Sequence, residues 1–149
     1  MPENAIVPLS LTPGYLTACL AQQVNGPYAD TDTAGAAGLA AETVRYLNYA
    51  APRGGITEPA TIAAVASSLS TTAYRLPQLL AALGAWLAAE AAAGRIADDH
   101  RRPPAQLTAR IRDTLSHASD NAETLAASLS AVHNLAATLH AAGPAAPAV

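Results

Sequence analysis

Acids, histidines and a single cysteine are the residues of this chain that could carry chemistry, and their spacing argues against it. Glu42, Glu58, Glu90 and Glu123 fall in what read as separate helices. They lack the repeated Glu-x-x-His or Glu-x-x-Glu motif that di-iron bundles and helical nucleotide pyrophosphohydrolases place on facing helices. Asp98 and Asp99 adjoin a linker, where capping or solvated charge is the ordinary role. His133 and His140 share a helical face, but seven residues put them roughly 10 Å apart, too far for one metal ion. His117 lies further back and His100 falls in the linker. Cys19 stands beside Leu20 with no histidine near it in sequence, and reads as a small buried hydrophobe rather than a nucleophile. One cysteine can neither build a disulfide framework within a chain nor complete a zinc cluster. There is no Gly-x-Ser-x-Gly elbow and no phosphate loop, and Gly35-Ala-Ala-Gly38 reads as helix-packing glycines. The expectation is a non-enzymatic protein without catalytic residues, cofactor or metal.

Composition points the same way. The 149 residues suit one ordinary domain, and 39 of them are alanine, so much of the apolar content is methyl groups. Alanine is the best helix former and lets helices approach closely. The net charge of −3, with eight arginines and no lysine, speaks against a general nucleic-acid coat or a polybasic membrane anchor. Residues 1–12 show no secretory signal pattern, and no apolar run approaches the roughly twenty residues of a membrane span. A cytoplasmic protein is expected. The missing Lys and Phe use A/T-rich codons, which suggests a high-G+C genome.

Pro and Gly punctuate the elements that would position any site. Pro2, Pro8 and Pro13 bracket an extended arm over residues 1–12, and a helical domain is expected over 13–142, with a disordered tail at 143–149. A first helix should run from Pro13 to Val24, capped by Thr12 and stopped at Gly26-Pro27. A second should start within Asp30–Thr33 and reach Tyr49, with Ala36, Ala40, Val44 and Leu47 inside. After the Arg53-Gly54-Gly55 turn, a third should be capped by Thr57 and bury Ile62, Val65, Leu69 and Ala73. The Ser/Thr stretch Ser67–Thr72 and Pro77 suggest a break near Arg75, whether Pro77 kinks one helix or opens another. The following helix carries Leu79, Leu80, Leu83, Trp86 and Leu87, and Gly94 should end it.

Beyond the polar linker Asp98–Pro104 comes the most regular pattern. Ile111, Leu115, Ala118, Ala122, Leu125, Leu129, Val132, Ala136 and Leu139 alternate steps of four and three, a heptad seam. One helix of roughly 50 Å is expected, unless Ser119, Asp120 and Asn121 break it in two. No segment alternates as a strand does. The fold class is all-α, a bundle of five or six helices. A helix of that length should overhang a compact bundle, so the interface candidates are Leu125, Leu129, Val132 and Leu139, with Trp86 as a large anchor.

Two functional readings remain. The first is a scaffold or adaptor that associates with itself or with a helical protein partner. The second is a DNA-binding regulator with a helix-turn-helix-like segment over Thr57–Ile96 and basic residues Arg75, Arg101, Arg102, Arg110 and Arg112. Its second helix offers Gln78 and then mostly Leu and Ala, a poor base-reading face. Nucleic acid is therefore the less favoured partner.

The pattern Tyr46-Leu47-Asn48-Tyr49-Ala50, Gly55, Pro59, Leu76-Pro77-Gln78-Leu79-Leu80, Leu83, Trp86-Leu87, Glu90 and Ala93-Gly94-Arg95-Ile96 resembles a group of small alanine-rich helical proteins of actinomycetes. The resemblance covers about Tyr46 to Leu139. It implies an all-helical fold in a streptomycete-like source and carries no activity onto any residue. The secreted WxG-type hairpins are a different case. They place Trp before Gly in a turn, whereas here Gly84 precedes Trp86 within an expected helix.

Overall fold

The structure is a computed structural model that describes Leu20, Ala21 and residues 24–141. The expected N-terminal arm, most of the 13–24 helix, Cys19 and the 143–149 tail lie outside the described residues. Three α-helices are described along their length, rather than five or six: α1 (Asp30–Ala50), α2 (Pro59–Ala92) and α3 (Pro104–Ala136). No described residue is in a strand. The chain divides into two compact units, Met1–Tyr49 and Ala50–Val149.

In the first unit, α1 opens with Asp30 and Asp32 at the positive end of the helix dipole. Thr33 and Thr43 return their hydroxyls to the carbonyls of Ala29 and Leu39. The expected inner stripe is not a buried one: α1 buries no residue, and Ala36, Ala40 and Val44 are all exposed.

The second unit begins with a 3-10 turn, Ala51–Arg53, closed by Gly54 at φ +86°. The Gly55 amide donates to the Ala50 carbonyl at 2.9 Å. A Cβ on Gly55 would stand 2.7 Å from that oxygen, so glycine is required there. Helix α2 starts with Pro59 at its first position, where a missing N–H costs nothing, and Glu58 rather than Thr57 is the N-cap residue.

Helix α2 then runs 34 residues straight past the expected break, with Pro77 inside it. The Ser/Thr stretch does not stop it because the hydroxyls find helical partners. Thr71 donates to the Ser67 carbonyl and Thr72 to that of Ser68. Residues on both sides of Pro77 pack on the same neighbouring helix, and that contact outweighs the hydrogen bond Pro77 cannot make. Gly94 ends the helix as expected, at φ +68°. The Arg95 amide bonds back to the Glu90 carbonyl and the Gly94 amide to that of Ala91, a Schellman closure. The Arg95 guanidinium also pairs with the Glu90 carboxylate at 2.6 Å.

Helix α3 starts at Pro104 and stays in one piece through Asp120 and Asn121 to Ala136. Thr124 and Ser128 bond back to the carbonyls of Asp120 and Thr124 across the expected break. The helix ends six residues short of 142, so Leu139 lies beyond it.

Helices α2 and α3 form an antiparallel hairpin. The His133 ring faces the Ala63 carbonyl, the Ser70 hydroxyl faces the Ala126 carbonyl, and Gly84 faces Arg112 and Leu115. Each seven-residue step along α2 is matched by seven back along α3. The fully buried residues of the seam are small. Ala63, Ala66, Ala73 and Gly84 of α2 are buried, as are Thr108, Ala122, Ala126 and Ala136 of α3. The helices are nearly equal in length, 34 and 33 residues, so α3 does not overhang as expected.

The seam keeps a seven-residue repeat but shifts alternate positions by one from the heptad reading. Leu115, Ala122, Leu129 and Ala136 are shared with it, whereas Arg112, Ala126 and His133 stand in for Ile111, Leu125 and Val132. This leaves Leu125 51% and Val132 44% exposed, and alanine at 126 permits the closer approach.

Candidate interaction surface

Adjacent to the small-residue seam, α2 carries a second line at heptad spacing. Ile62, Val65 and Leu69 occupy its first half, and Leu76, Leu79, Leu83 and Trp86 its second, with Thr72 between. Each lies one position before a seam residue, which turns it about 100° to one side of the contact. Helix α3 runs the opposite way and has its own line one position before its seam: Leu107, Ile111, Ala118, Leu125, Val132 and Leu135, interspersed with Thr114, Asn121 and Ser128. In an antiparallel pair, reversing both chain direction and facing direction brings these two lines to the same side. The result is one broad face of the hairpin whose two lines carry no charged residue, with Arg75 of α2 and Arg110 of α3 at its outer edges.

This face is open. Trp86 is 61% exposed, Leu79 50%, Leu83 48% and Leu135 71%, whereas no large side chain anywhere among the described residues is fully buried. The interface candidates therefore separate. Trp86, Leu125 and Val132 stand exposed on this face, Leu129 is half-buried at the seam, and Leu139 is exposed beyond the end of α3. The α2 line was legible in the sequence as a 3-4 spacing from Ile62 to Trp86. Pro77, a helix breaker by its local rules, hides the continuity of that line.

The opposite side of the hairpin is polar and small. It holds two grooves, one lined by Ala81, Ala85, Arg112 and Ser116, the other by Ser70, Thr71, Tyr74, Glu123, Ala127 and Ser130. Asp113, Asp120 and Glu123 give it an acidic edge. Glu123 is the lone carboxylate in the second groove, and neither groove contains a histidine or cysteine. Among the described residues no three His, Cys, Asp or Glu side chains cluster to hold a metal ion. Glu58 and Glu90, expected on separate helices, lie at the two ends of the α2 segment.

His133 is a seam residue. Its Nδ1 lies 2.9 Å from the Ala63 carbonyl. A carbonyl only accepts, so Nδ1 carries the hydrogen. Ser70 donates to the Ala126 carbonyl at 2.8 Å, seven residues along the same seam.

The basic residues do not form one patch. Arg102 is held by Asp98 through Nε at 3.0 Å and Nη2 at 2.9 Å, and Asp98 also accepts the backbone amides of His100 and Arg102. Those bonds, the guanidinium first, hold the Asp98 carboxyl down at about 2, so the loop closure stays ionised across the ordinary pH range. Arg101, Arg102, Arg110 and Arg112 gather toward the loop end of the hairpin, while Arg75 sits mid-hairpin away from them. Between Thr57 and Ile96 there is one unbroken helix, so the turn that a helix-turn-helix needs is not formed. No helix among the described residues is long and apolar enough to cross a membrane. The chain matches no protein-family model, no curated protein and no solved structure.

Proposed function

We propose that this protein is a non-enzymatic helical interaction module, a scaffold or adaptor that associates through the uncharged face of its hairpin with itself or with a helical partner. One observation carries the reading: Leu79, Leu83, Trp86, Leu125, Val132 and Leu135 stand exposed along one side of a hairpin whose fully buried contact residues are all small. Contiguous exposed apolar surface beyond a few hundred Å² marks an interaction site in soluble proteins. The absence of Lys and Phe supports a high-G+C bacterial source, and a cytoplasmic setting goes with that reading.

The test is affinity purification of the tagged full chain from an actinomycete host, in nuclease-treated and untreated halves, alongside the Leu83→Asp/Leu125→Asp double variant. Protein association that survives nuclease and disappears in the variant supports the reading. Association that the variant retains, or recovery that depends on DNA, overturns it.

A further inference from the structure

We infer that the occupant of this face is a second copy of the same hairpin, giving a four-helix arrangement in which α2 of each copy lies on α3 of the other. The inference rests on the interaction reading and names its partner. A helix hairpin is a single layer, and stable domains bury the apolar face of one layer against another. Here the missing layer must be as long as the face, match its apolar character and present no charge to the two central lines. A second copy supplies all three at once.

The area is sufficient. Helices of 33 and 34 residues extend about 50 Å at 1.5 Å per residue, and two side by side are about 18 Å across. The face is then about 900 Å², close to the roughly 800 Å² per partner of a stable interface. Closed two-fold symmetry makes such a face self-complementary and leaves no free end to propagate.

Side-chain size selects among the two-fold arrangements. The α2 line is large almost throughout. At the level of Leu76 and Leu79, the α3 line has the smaller Ala118 and Asn121. Stacking α2 on α2 would set leucine against leucine and leave a gap over Ala118. A two-fold axis parallel to the helices instead sets the large line of each copy on the smaller line of the other, which fills the layer evenly.

The test uses the full chain. Sedimentation equilibrium at micromolar concentration should give twice 15.0 kDa. Leu83→Asp and, independently, Leu125→Asp should raise the dimer dissociation constant on the order of a hundredfold or more while far-UV circular dichroism keeps its helical signal. In a Cys19→Ser background, mixing Val65→Cys protein with Val132→Cys protein under mild oxidation should yield a covalent pair of unlike chains. A wild-type monomer overturns the inference but not the interaction reading, which the capture experiment decides separately. A dimer in which Leu76→Cys cross-links to itself and the mixture does not cross-link overturns the α2-on-α3 arrangement.

Discussion

The two sides of the α2–α3 hairpin are made by the same two helices at the same register, and they differ in nearly every property. One side presents leucines, valine, isoleucines and Trp86 without a charge; the other presents alanine, serine, Tyr74 and three carboxylates. Between them the seam is closed by Ala63, Ala66, Ala73, Ala122 and Ala126. The most deeply buried seam residues are small, while Leu79, Leu83, Trp86, Leu125 and Leu135 stay largely exposed on one flank. Small residues set a close helix pair, and the large residues of the flank are left for a separate contact.

The strongest way to break this comparison is to put the same charge on the seam and on the flank. Ala66 is 4% exposed, so Ala66→Asp buries an unpaired carboxylate and should cost on the order of 3–5 kcal/mol of stability in urea titration. Leu83→Asp should leave the helical signal intact and lower only the mass in solution. If both variants lose helicity alike, the two contacts are not separable.

Pro77 sharpens the comparison from the other direction. It lies half-buried between seam residues Ala73 and Leu80, yet cannot donate a hydrogen bond to the Ala73 carbonyl. Proline in a helix interior costs about 3 kcal/mol relative to alanine, part of which Pro77 regains by packing. Pro77→Ala should therefore stabilise the hairpin by about 1–2 kcal/mol, seen as a higher urea midpoint with an unchanged slope. A loss of stability would mean that the ring itself is a needed seam contact.

What the sequence made legible was local. Gly94 ending α2, Pro104 opening α3 and the Gly54–Gly55 turn each follow from backbone rules that involve a few neighbouring residues. The all-helical class and the 50 Å C-terminal helix followed from spacing. What failed depended on the partner helix. Nothing within Ser67–Pro77 reveals that α3 lies alongside and carries the helix through. Nothing near Leu125 shows that the close approach selects Ala126 instead, because heptad position alone favours the larger side chain. The candidate surface is legible in part: Trp86, Leu125 and Val132 stand among the interface candidates of the sequence, whereas Ile62, Val65 and Leu69 read there as a buried face.

The cross-helix hydrogen bonds test whether the seam is specified or merely tolerated. Ser70→Ala removes the donor to the Ala126 carbonyl, and His133→Ala removes the donor to the Ala63 carbonyl. Each should cost about 1 kcal/mol. The sites are two helical turns apart and share no partner, so the double variant should lose the sum to within about 0.5 kcal/mol. Strong non-additivity in chemical denaturation would show that the two bonds fix the register jointly.

The smallest effect addresses the one glycine of the α2–α3 seam. Gly84 is buried, and glycine within a helix costs about 0.5–1 kcal/mol relative to alanine through backbone entropy. Such a position is worth that cost only where a methyl group would not fit. A Cβ on Gly84 would meet Arg112 Cγ at 3.5 Å and Leu115 Cδ1 at 3.6 Å, both ordinary contact distances. The Arg112 stem is also flexible and opens onto the polar groove, so it can move aside. Gly84→Ala should accordingly raise stability by about 0.5 kcal/mol and leave the mass in solution unchanged, because the methyl points into the seam and not onto the apolar flank. A decrease in stability at this position would show that the helices approach more closely at Gly84 than these distances indicate. A change in mass would show that seam and flank are coupled, and that the hairpin does not finish its own contact before it meets a second layer.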